Sequence, residues 1–355
     1  MITDVSRYAL INAKLRARIS TILSDDFFSS LIKSKTTTEM LQVLRGTPYA
    51  ELASVYEQTG DLKSVELALY KREAGLFREL EPFLPPQAIP VVQALAAGYE
   101  IENLKNALRL FFDHIFRKRS VDEAVHYLMR DRILTDIPWE AVINSTSLDE
   151  VATHLSATPY GAVIRDAVPE VERHQSLFPL TAALDRFYYR QLIEVITTLG
   201  SRDRHIARRL VGIEIDLQNV SWIIRFRTFY HLPFEQVADL IIPGGFSISD
   251  STLQDIYRSE QLAGPLEVMI RSSYPGVAAR TASAGSDQSS RVTKLERLLE
   301  QITLDEVHRI MRGYPFSIGI VLAYFILKRF EIRRIRTVLN AGFFNISRER
   351  MATLL

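Results

Sequence analysis

The sequence of 355 residues contains no cysteine. This absence excludes disulfide scaffolds, thiolate catalysis and cysteine-ligated zinc sites. The motifs GxGxxG, GxSxG and GxxxxGK followed by Ser or Thr are also absent, so the sequence predicts neither a nucleotide-binding loop nor a nucleophile elbow. The seven histidines form no HxH, HxxxH or HExxH pair. We therefore expect no metal site and no cofactor.

The chain also lacks a large excess of charge of one sign and an apolar run long enough to cross a bilayer. The chain has 43 basic and 42 acidic residues, which gives a net charge of +1 and argues against a protein whose main partner is nucleic acid. The most apolar run, 315-PFSIGIVLAYFIL-327, is well below the ~20 residues that cross a bilayer, and it predicts a buried helix. The first twenty residues have no apolar core or cleavage site of the kind that marks a secretory signal.

A ten-residue pattern occurs three times, as 100-EIENLKNALR-109, 216-DLQNVSWIIR-225 and 331-EIRRIRTVLN-340. Its shared positions are an acid, then Ile or Leu, any residue, Asn or Arg, and a further apolar residue. The first two copies also share a final arginine. The residues that define the pattern are Glu100, Asp216 and Glu331, Asn103 and Asn219, and Arg109 and Arg225.

A tyrosine motif precedes each copy, as 47-TPYAELA-53, 158-TPYGAVI-164 and, more loosely, 273-SYPGVAA-279. Its tyrosines, Tyr49, Tyr160 and Tyr274, lie 51, 56 and 57 residues before the three acids. The capping boxes Thr36-x-x-Glu39 and Ser147-x-x-Glu150 begin 13 residues before the first two tyrosines, and the third copy has no such box. Two motifs in constant order predict three homologous units, over 1–115, 116–230 and 231–355.

Helical periodicity dominates, sustained strand alternation is absent, and the fold class is therefore all-α. We expect a helix over 63–83 that is stopped by prolines, and one over 184–200 with Gly200 as its C-cap. A third should run over 294–313, restarting at a capping box that begins at Thr303. The stretch 276–291, rich in Ala, Ser and Gly, predicts an exposed flexible loop.

Two interpretations of the repeated acid are open. Glu100 and Glu102 could form an acid/base pair, as in an all-α lyase, which requires a deep pocket where Glu100 or Asp216 faces open space. However, residues two apart on a helix point to different faces, whereas Glu100 and Asn103 share one. Repetition favours a packing role, in which Glu100 accepts hydrogen bonds from a tyrosine or an arginine.

Basic side chains cluster at 117–119, 202–209 and 328–336. They can be solvated helix faces, a docking surface for an acidic protein partner or, at 328–336, part of an interior ion-pair network. A helical repeat scaffold that binds nucleic acid is another alternative, although Asn340 breaks the series that Arg109 and Arg225 begin. The candidate docking residues are Arg117, Lys118, Arg119, Arg204, Arg208 and Arg209.

The ordered motifs, together with the N-terminal stretch 8-YALINAKLRARISTIL-23, resemble a known family over essentially the whole chain. The family is the C subunit of archaeal and bacterial V-type (A/V-type) ATPases and ATP synthases, which is similar to the d subunit of eukaryotic vacuolar ATPases. Three departures lie in the third copy, which has SYPG in place of TPY, Arg334 in place of asparagine, and the stretch 276–291 as a local insertion.

This resemblance implies three helical domains with pseudo-three-fold symmetry that form a funnel-shaped socket. In the family, the socket is a peripheral, non-catalytic part on the cytoplasmic face of the membrane proteolipid ring of c/K subunits. It receives the central shaft, subunits D and F, and the stator membrane subunit is a further candidate partner. Membrane contact is then made through partners only, and the socket couples ATP chemistry to H+ or Na+ transport. The family has no known catalytic residues, so the resemblance supplies none.

Overall fold

The computed structural model describes residues 4–230, 232–238, 240–259, 262–275, 288–347 and 351. Helices and short connections make up all of these residues, and no strand occurs among them. The predicted all-α class is therefore confirmed. Most of the predicted loop, residues 276–287, lies outside the described residues, and residues 288–291 begin a long helix.

Seventeen α-helices are formed by the described residues, together with two 3-10 turns, Glu81–Phe83 and Pro86–Ala88, and a π-helical turn, Phe226–Tyr230. The helices are α1 (Asp4–Ile19), α2 (Asp25–Ile32), α3 (Thr37–Leu44), α4 (Glu51–Thr59), α5 (Leu62–Leu80), α6 (Ile89–Ile115), α7 (Asp122–Val125), α8 (Trp139–Asn144), α9 (Leu148–His154), α10 (Tyr160–His174), α11 (Phe178–Thr197), α12 (Ser201–Arg225), α13 (Phe234–Ala238), α14 (Asp250–Arg258), α15 (Ala263–Ser273), α16 (Gln288–Arg312) and α17 (Gly319–Phe343).

Helices α3 and α9 begin at the two predicted capping boxes. The Thr36 hydroxyl accepts a hydrogen bond from the Glu39 amide at 3.1 Å, and the Ser147 hydroxyl accepts one from the Glu150 amide at 3.1 Å. Each glutamate in turn accepts a backbone N–H from the residue before its cap. These bonds satisfy amides that a helix start otherwise leaves unpaired. Helix α15 has no side-chain cap, as expected for the third copy.

Two predicted helix boundaries were wrong. Gly200 is not a left-handed C-cap, because its φ is −59° and it precedes α12. The Arg204 guanidinium instead donates to the Leu199 carbonyl at 2.8 and 3.1 Å, which satisfies the end of α11. Helix α16 does not restart at Thr303, whose hydroxyl donates back to the Leu299 carbonyl within a continuous helix. Helix α5 is stopped at the prolines, as predicted, but it ends at Leu80, and the last residues of the predicted range, Glu81–Phe83, form a 3-10 turn.

The chain divides into two compact units, one formed by 1–184 with 324–355 and the other by 185–323. In the first unit, the last part of α17 packs into the same core as α2–α5. Ile335 and Val338 are fully buried there beside Leu44 and Tyr49. The Phe77 ring also stacks on Phe325 with centroids 4.3 Å apart. The beginning and the end of the sequence therefore share one hydrophobic core.

In the second unit, α12 and α16 pack side by side in opposite directions. The Asp203 carboxylate, near the start of α12, accepts at 2.9 Å the amide of Ile318, which lies six residues after the end of α16 and immediately before α17. Two turns further along α12, Arg209 donates to Glu306 at 2.8 Å. Over the described ranges of both units, no helix combines the length and the apolar character needed to cross a membrane.

Candidate functional site

The first repeated acid, Glu100, lies on α6 and is 1% exposed. The Tyr160 hydroxyl, at the start of α10, donates to its Oε1 atom at 2.7 Å. Its Oε2 atom accepts the backbone amides of Leu134 and Thr135 at 2.8 and 2.7 Å. Both carboxylate oxygens are therefore hydrogen-bonded, which is the usual condition for a buried polar group.

The second acid, Asp216 on α12, is fully buried. Its Oδ2 atom accepts the Tyr274 hydroxyl at 2.6 Å and the backbone amide of Ser247 at 2.7 Å. The neighbouring amides of Phe246 and Ile248 also point to Oδ2, each at 3.2 Å. Its Oδ1 atom has no hydrogen-bond partner. Burial raises the pKa of Asp216, and the four donors oppose this effect without cancelling it.

The third acid, Glu331 on α17, contacts a tyrosine and a lysine. The Tyr49 hydroxyl donates to Glu331 Oε2 at 2.6 Å, and the Leu23 amide donates to Oε1 at 2.7 Å. The Lys328 ammonium donates to the same Oε2 at 2.6 Å and to the Tyr49 oxygen at 2.9 Å. Lys328 is 5% exposed, and its pair with Glu331 is an interior ion pair of the kind offered as one alternative for the basic cluster 328–336. Its position three residues before the acid on one helix was the available signal.

The three tyrosines act as donors to these carboxylates. Burial and the adjacent carboxylate raise the pKa of Tyr49, Tyr160 and Tyr274 well above the ordinary value of a phenol. Each hydroxyl therefore keeps its proton at neutral pH. We call the three contacts the acid–tyrosine pairs, Glu100–Tyr160, Asp216–Tyr274 and Glu331–Tyr49.

The partner tyrosine is not the one that precedes each acid by 51 to 57 residues. Tyr160 follows Glu100 by 60 residues, and Tyr274 follows Asp216 by 58. Glu331 contacts Tyr49, which lies 282 residues earlier. Each acid thus contacts the tyrosine of the next predicted repeat, and the last acid contacts the tyrosine of the first.

The repeated asparagines each hold one backbone segment. Asn103 donates to the Met129 carbonyl at 2.6 Å and accepts the Met129 amide at 3.2 Å. Asn219 makes the same two bonds with Ile242, both at 2.9 Å. Arg334, the residue that replaces asparagine in the third copy, instead donates to Asp25 at 2.7 Å. The sequence departure therefore coincides with a different contact.

The enzyme alternative required Glu100 or Asp216 to face open space in a deep pocket. The structure shows no such space at either acid. Glu100 and Asp216 are enclosed, and each is hydrogen-bonded by a tyrosine and by backbone amides. A general acid or base must reach a substrate proton through a direct contact or one water. The arrangement instead connects separate helices through a buried, directional contact.

The two repeated arginines and the docking candidates lie nearer the surface. Arg109 and Arg225 are exposed, and Arg109 donates to Asn106 at 2.9 Å. Lys118, Arg119 and Arg208 are exposed, and so is Arg117, which pairs with Asp113 at 2.8 Å. Arg204 bonds to the Leu199 carbonyl, and the half-buried Arg209 bonds to Glu306. The structure therefore brings the acids and tyrosines together and leaves the arginines outside these contacts.

Comparison with known proteins agrees with the repeated motifs. The profile of the ATP synthase (C/AC39) subunit family matches residues 11–354. The chain belongs to this family. Among its curated relatives is the C subunit of the A-type ATP synthase of Methanocaldococcus jannaschii, which is 24% identical over 100% of this chain and 88% of the relative. The resemblance stated from the motifs is thereby confirmed.

Two further relatives carry the same description. The C subunit of the A-type ATP synthase of Methanothermobacter thermautotrophicus is 25% identical over 95% of this chain and 84% of the relative. That of Thermococcus onnurineus is 25% identical over 98% of this chain and 90% of the relative. The family profile matches residues 11–354, and this range includes all three acid–tyrosine pairs.

Proposed function

We propose that this chain is a non-catalytic central-stalk subunit of a rotary V-type ATPase or ATP synthase. In this role it is a socket that joins the central shaft, subunits D and F, to the membrane proteolipid ring. It transmits torque, and so couples ATP hydrolysis or synthesis to H+ or Na+ transport. It would lie at the cytoplasmic face of the membrane as a peripheral component, with the stator membrane subunit as a further candidate neighbour. Membership of the ATP synthase (C/AC39) subunit family is the observation that carries this proposal.

The order of the acid–tyrosine pairs supports a socket built from three repeats, over 1–115, 116–230 and 231–355. In a linear array, the acid of the last repeat would have no following tyrosine to contact. Here Glu331 contacts Tyr49, so the series of contacts returns to its start. A closed series is the arrangement expected of three domains around a central opening, in which a shaft can be held.

The burial of these three carboxylates is consistent with a subunit that transmits torque. Each pair joins residues far apart in the sequence through a short hydrogen bond to a buried carboxylate, and the bonds of Glu100 and Glu331 are themselves buried. Such bonds are costly to break, because a buried carboxylate left without its donor destabilises the folded protein. Helices connected in this way should move as a stiff body under load. The docking role of Arg117, Lys118, Arg119, Arg204, Arg208 and Arg209 remains a proposal.

A binding experiment with separately purified partners tests the proposed function. The full chain is mixed at micromolar concentration with the D–F shaft complex, or with the detergent-solubilised proteolipid ring, from the same organism. We expect a stable complex with each on size-exclusion chromatography. Failure to bind either partner would overturn the proposal. A heat-unfolded and refolded sample that no longer shows its native helicity is the negative control.

A further inference from the structure

Two basic segments that are distant in the sequence form one exposed surface of the second unit. The first lies in the early turns of α12, and the second lies at the end of α16. The contacts Arg209–Glu306 and Asp203–Ile318 align the two helices in opposite directions, so that their basic turns are neighbours. We name as the basic face the side chains of Arg202, Arg208 and Arg209 from α12 and Arg309 and Arg312 from α16.

Four of these five arginines are exposed, and Arg209 is half-buried. Helical geometry places Arg202 and Arg209, which are seven residues apart, on one side of α12 about 10.5 Å from each other. Arg309 and Arg312, three residues apart, share one side of α16 in the same way. Arg209 and Arg309 both donate to Glu306, and Arg202 stacks on Tyr314, two residues beyond Arg312, so these side chains of the two helices lie close together. Arg208, about 100° further round α12, lies at the edge of this group.

The negative charge near this surface is smaller than the positive charge. Glu306 is 4% exposed and accepts hydrogen bonds from both Arg209 and Arg309. Burial raises its pKa, but the bonds from the two arginines outweigh that effect, so the pKa lies below its usual range. Asp203 and Asp305 are the other acids on these turns of the two helices. Five guanidinium groups therefore stand against three carboxylates on a chain whose net charge is only +1.

Aromatic rings hold two of these arginines in place. The Arg202 guanidinium lies 4.4 Å from the centroid of the Tyr314 ring, which is 44% exposed. The Arg209 guanidinium lies 4.4 Å from the centroid of the Phe246 ring, which is 40% exposed. A stacked guanidinium loses less conformational freedom when it binds a carboxylate. The basic face is therefore partly pre-organised, unlike an ordinary solvated group of arginines.

We infer that the basic face binds an acidic helix of a partner protein. A guanidinium accepts a carboxylate in a planar, bidentate geometry, and the arginine spacing of three and seven residues matches carboxylates along one side of a helix. Charge complementarity of this kind fixes the orientation of a partner and raises its rate of association. The inference does not require the proposed rotary role, so the two can fail independently.

The test uses the full chain and two synthetic peptides of equal composition. One is a fluorescein-labelled helical peptide of about 21 residues with glutamates at every third or fourth position on one side, and the other has the same residues scrambled. We expect the first peptide to bind more tightly than the second in fluorescence anisotropy, with an affinity that falls as salt is raised. Equal affinity for both peptides, or no binding of the first at millimolar concentration, would overturn the inference.

Charge-reversal variants locate the binding surface. The triple variant Arg202→Glu, Arg208→Glu, Arg312→Glu removes exposed members of the basic face and leaves the bonds from Arg209 and Arg309 to Glu306 intact. We expect it to weaken binding of the one-sided peptide by about tenfold or more, as the loss of several ion pairs predicts. The matched control changes Lys35, Arg165 and Arg173 to Glu, which alters the net charge equally at exposed positions outside both the basic face and the docking candidates. We expect the control to weaken binding by less than about twofold.

Two other outcomes contradict the inference. If both triple variants weaken binding equally, the peptide senses net charge and not this surface. If phosphatidylglycerol vesicles bind the chain more tightly than the one-sided peptide does, and the basic-face variant removes that binding, the occupant is a membrane and not an acidic helix. Circular dichroism melting of each variant verifies its folding, and the same three positions changed to Ala supply a milder replacement if the Glu variant does not fold.

Discussion

Glu331 accepts a hydrogen bond of 2.6 Å from Tyr49, a residue 282 positions earlier in the chain. The contact is buried and lies in the core that the first helices share with the end of the last helix. It is the same kind of contact as Glu100–Tyr160 and Asp216–Tyr274, but in those two pairs the tyrosine follows the acid in the sequence, whereas Tyr49 precedes Glu331. The environment of these acids, and of the loops beside them, leads to four expectations for stability.

Replacing Tyr160 with Phe should destabilise the protein by about 1–3 kcal/mol. The change removes the O–H donor from Glu100, and the carboxylate is too deeply buried for water to replace it. Urea unfolding followed by circular dichroism measures the difference. Tyr314→Phe is the control, because that side chain is 44% exposed, and its effect should stay within about 0.5 kcal/mol. Equal effects of the two substitutions would show that the Glu100–Tyr160 bond contributes nothing.

Replacing Glu331 with Leu should be more harmful than replacing Glu331 and Lys328 together. The single change leaves the buried Lys328 ammonium without its carboxylate, and breaking a buried ion pair in this way costs about 3–5 kcal/mol. The double variant Lys328→Met, Glu331→Leu removes both charges and should recover much of that loss. Thermal unfolding of the two variants measures the coupling. Arg45→Ala, which disrupts an exposed ion pair with Glu57, should leave the melting temperature unchanged. A double variant less stable than the single one would refute this account of the pair.

Gly245→Ala should destabilise the second unit by about 1–3 kcal/mol. A Cβ atom at this position would overlap Asp216 Oδ1 and would lie 3.2 Å from the Ile248 carbonyl. Gly75→Ala is the matched control, because a Cβ there meets nothing within 4 Å and the residue lies inside α5. That control should stabilise the protein by about 0.5–1 kcal/mol. Differential scanning calorimetry of both variants distinguishes steric overlap from a general effect of alanine.

The stability contributed by Asp216 should depend on pH in a direction opposite to that of an ordinary ion-paired acid. Its pKa is raised in the folded protein above the reference value of 3.8, mainly by burial. Between the unfolded and folded pKa values the native state binds more protons than the unfolded state, so its stability falls as pH rises through that window. Below 3.8 the contribution is fully present.

The variant Asp216→Asn measures this effect. Asparagine has the shape of a protonated aspartic acid but does not titrate, so its stability lacks this pH-dependent term. We expect the unfolding free energy of the natural chain, relative to the variant, to decrease as pH rises from about 4 towards neutrality. Urea unfolding of both proteins over this range supplies the measurement. A relative stability that increases with pH would contradict the raised pKa.

Local patterns in the sequence were sufficient for the fold class and for several helix ends. The capping boxes at Thr36 and Ser147 were predicted correctly because a cap involves only residues three or four positions apart. Similar local reasoning failed at Gly200 and Thr303. Near Gly200, the Arg204 side chain bonds to the Leu199 carbonyl at the end of α11. At Thr303, the hydroxyl donates to the Leu299 carbonyl within a continuous helix. The residue type at either position does not by itself specify these bonds.

The amino-acid pattern alone indicates that the protein is helical, that its motifs recur three times, and that the recurring residues are an acid and a tyrosine. The pairing of each acid with its tyrosine, and the meeting of Arg209 and Arg309 at Glu306, are visible only in the three-dimensional structure. The difference lies in the sequence separation of the residues that interact. Helix formation and capping depend on neighbours within one turn, whereas these contacts join residues from 58 to 282 positions apart and exist only where side-chain packing brings the helices together.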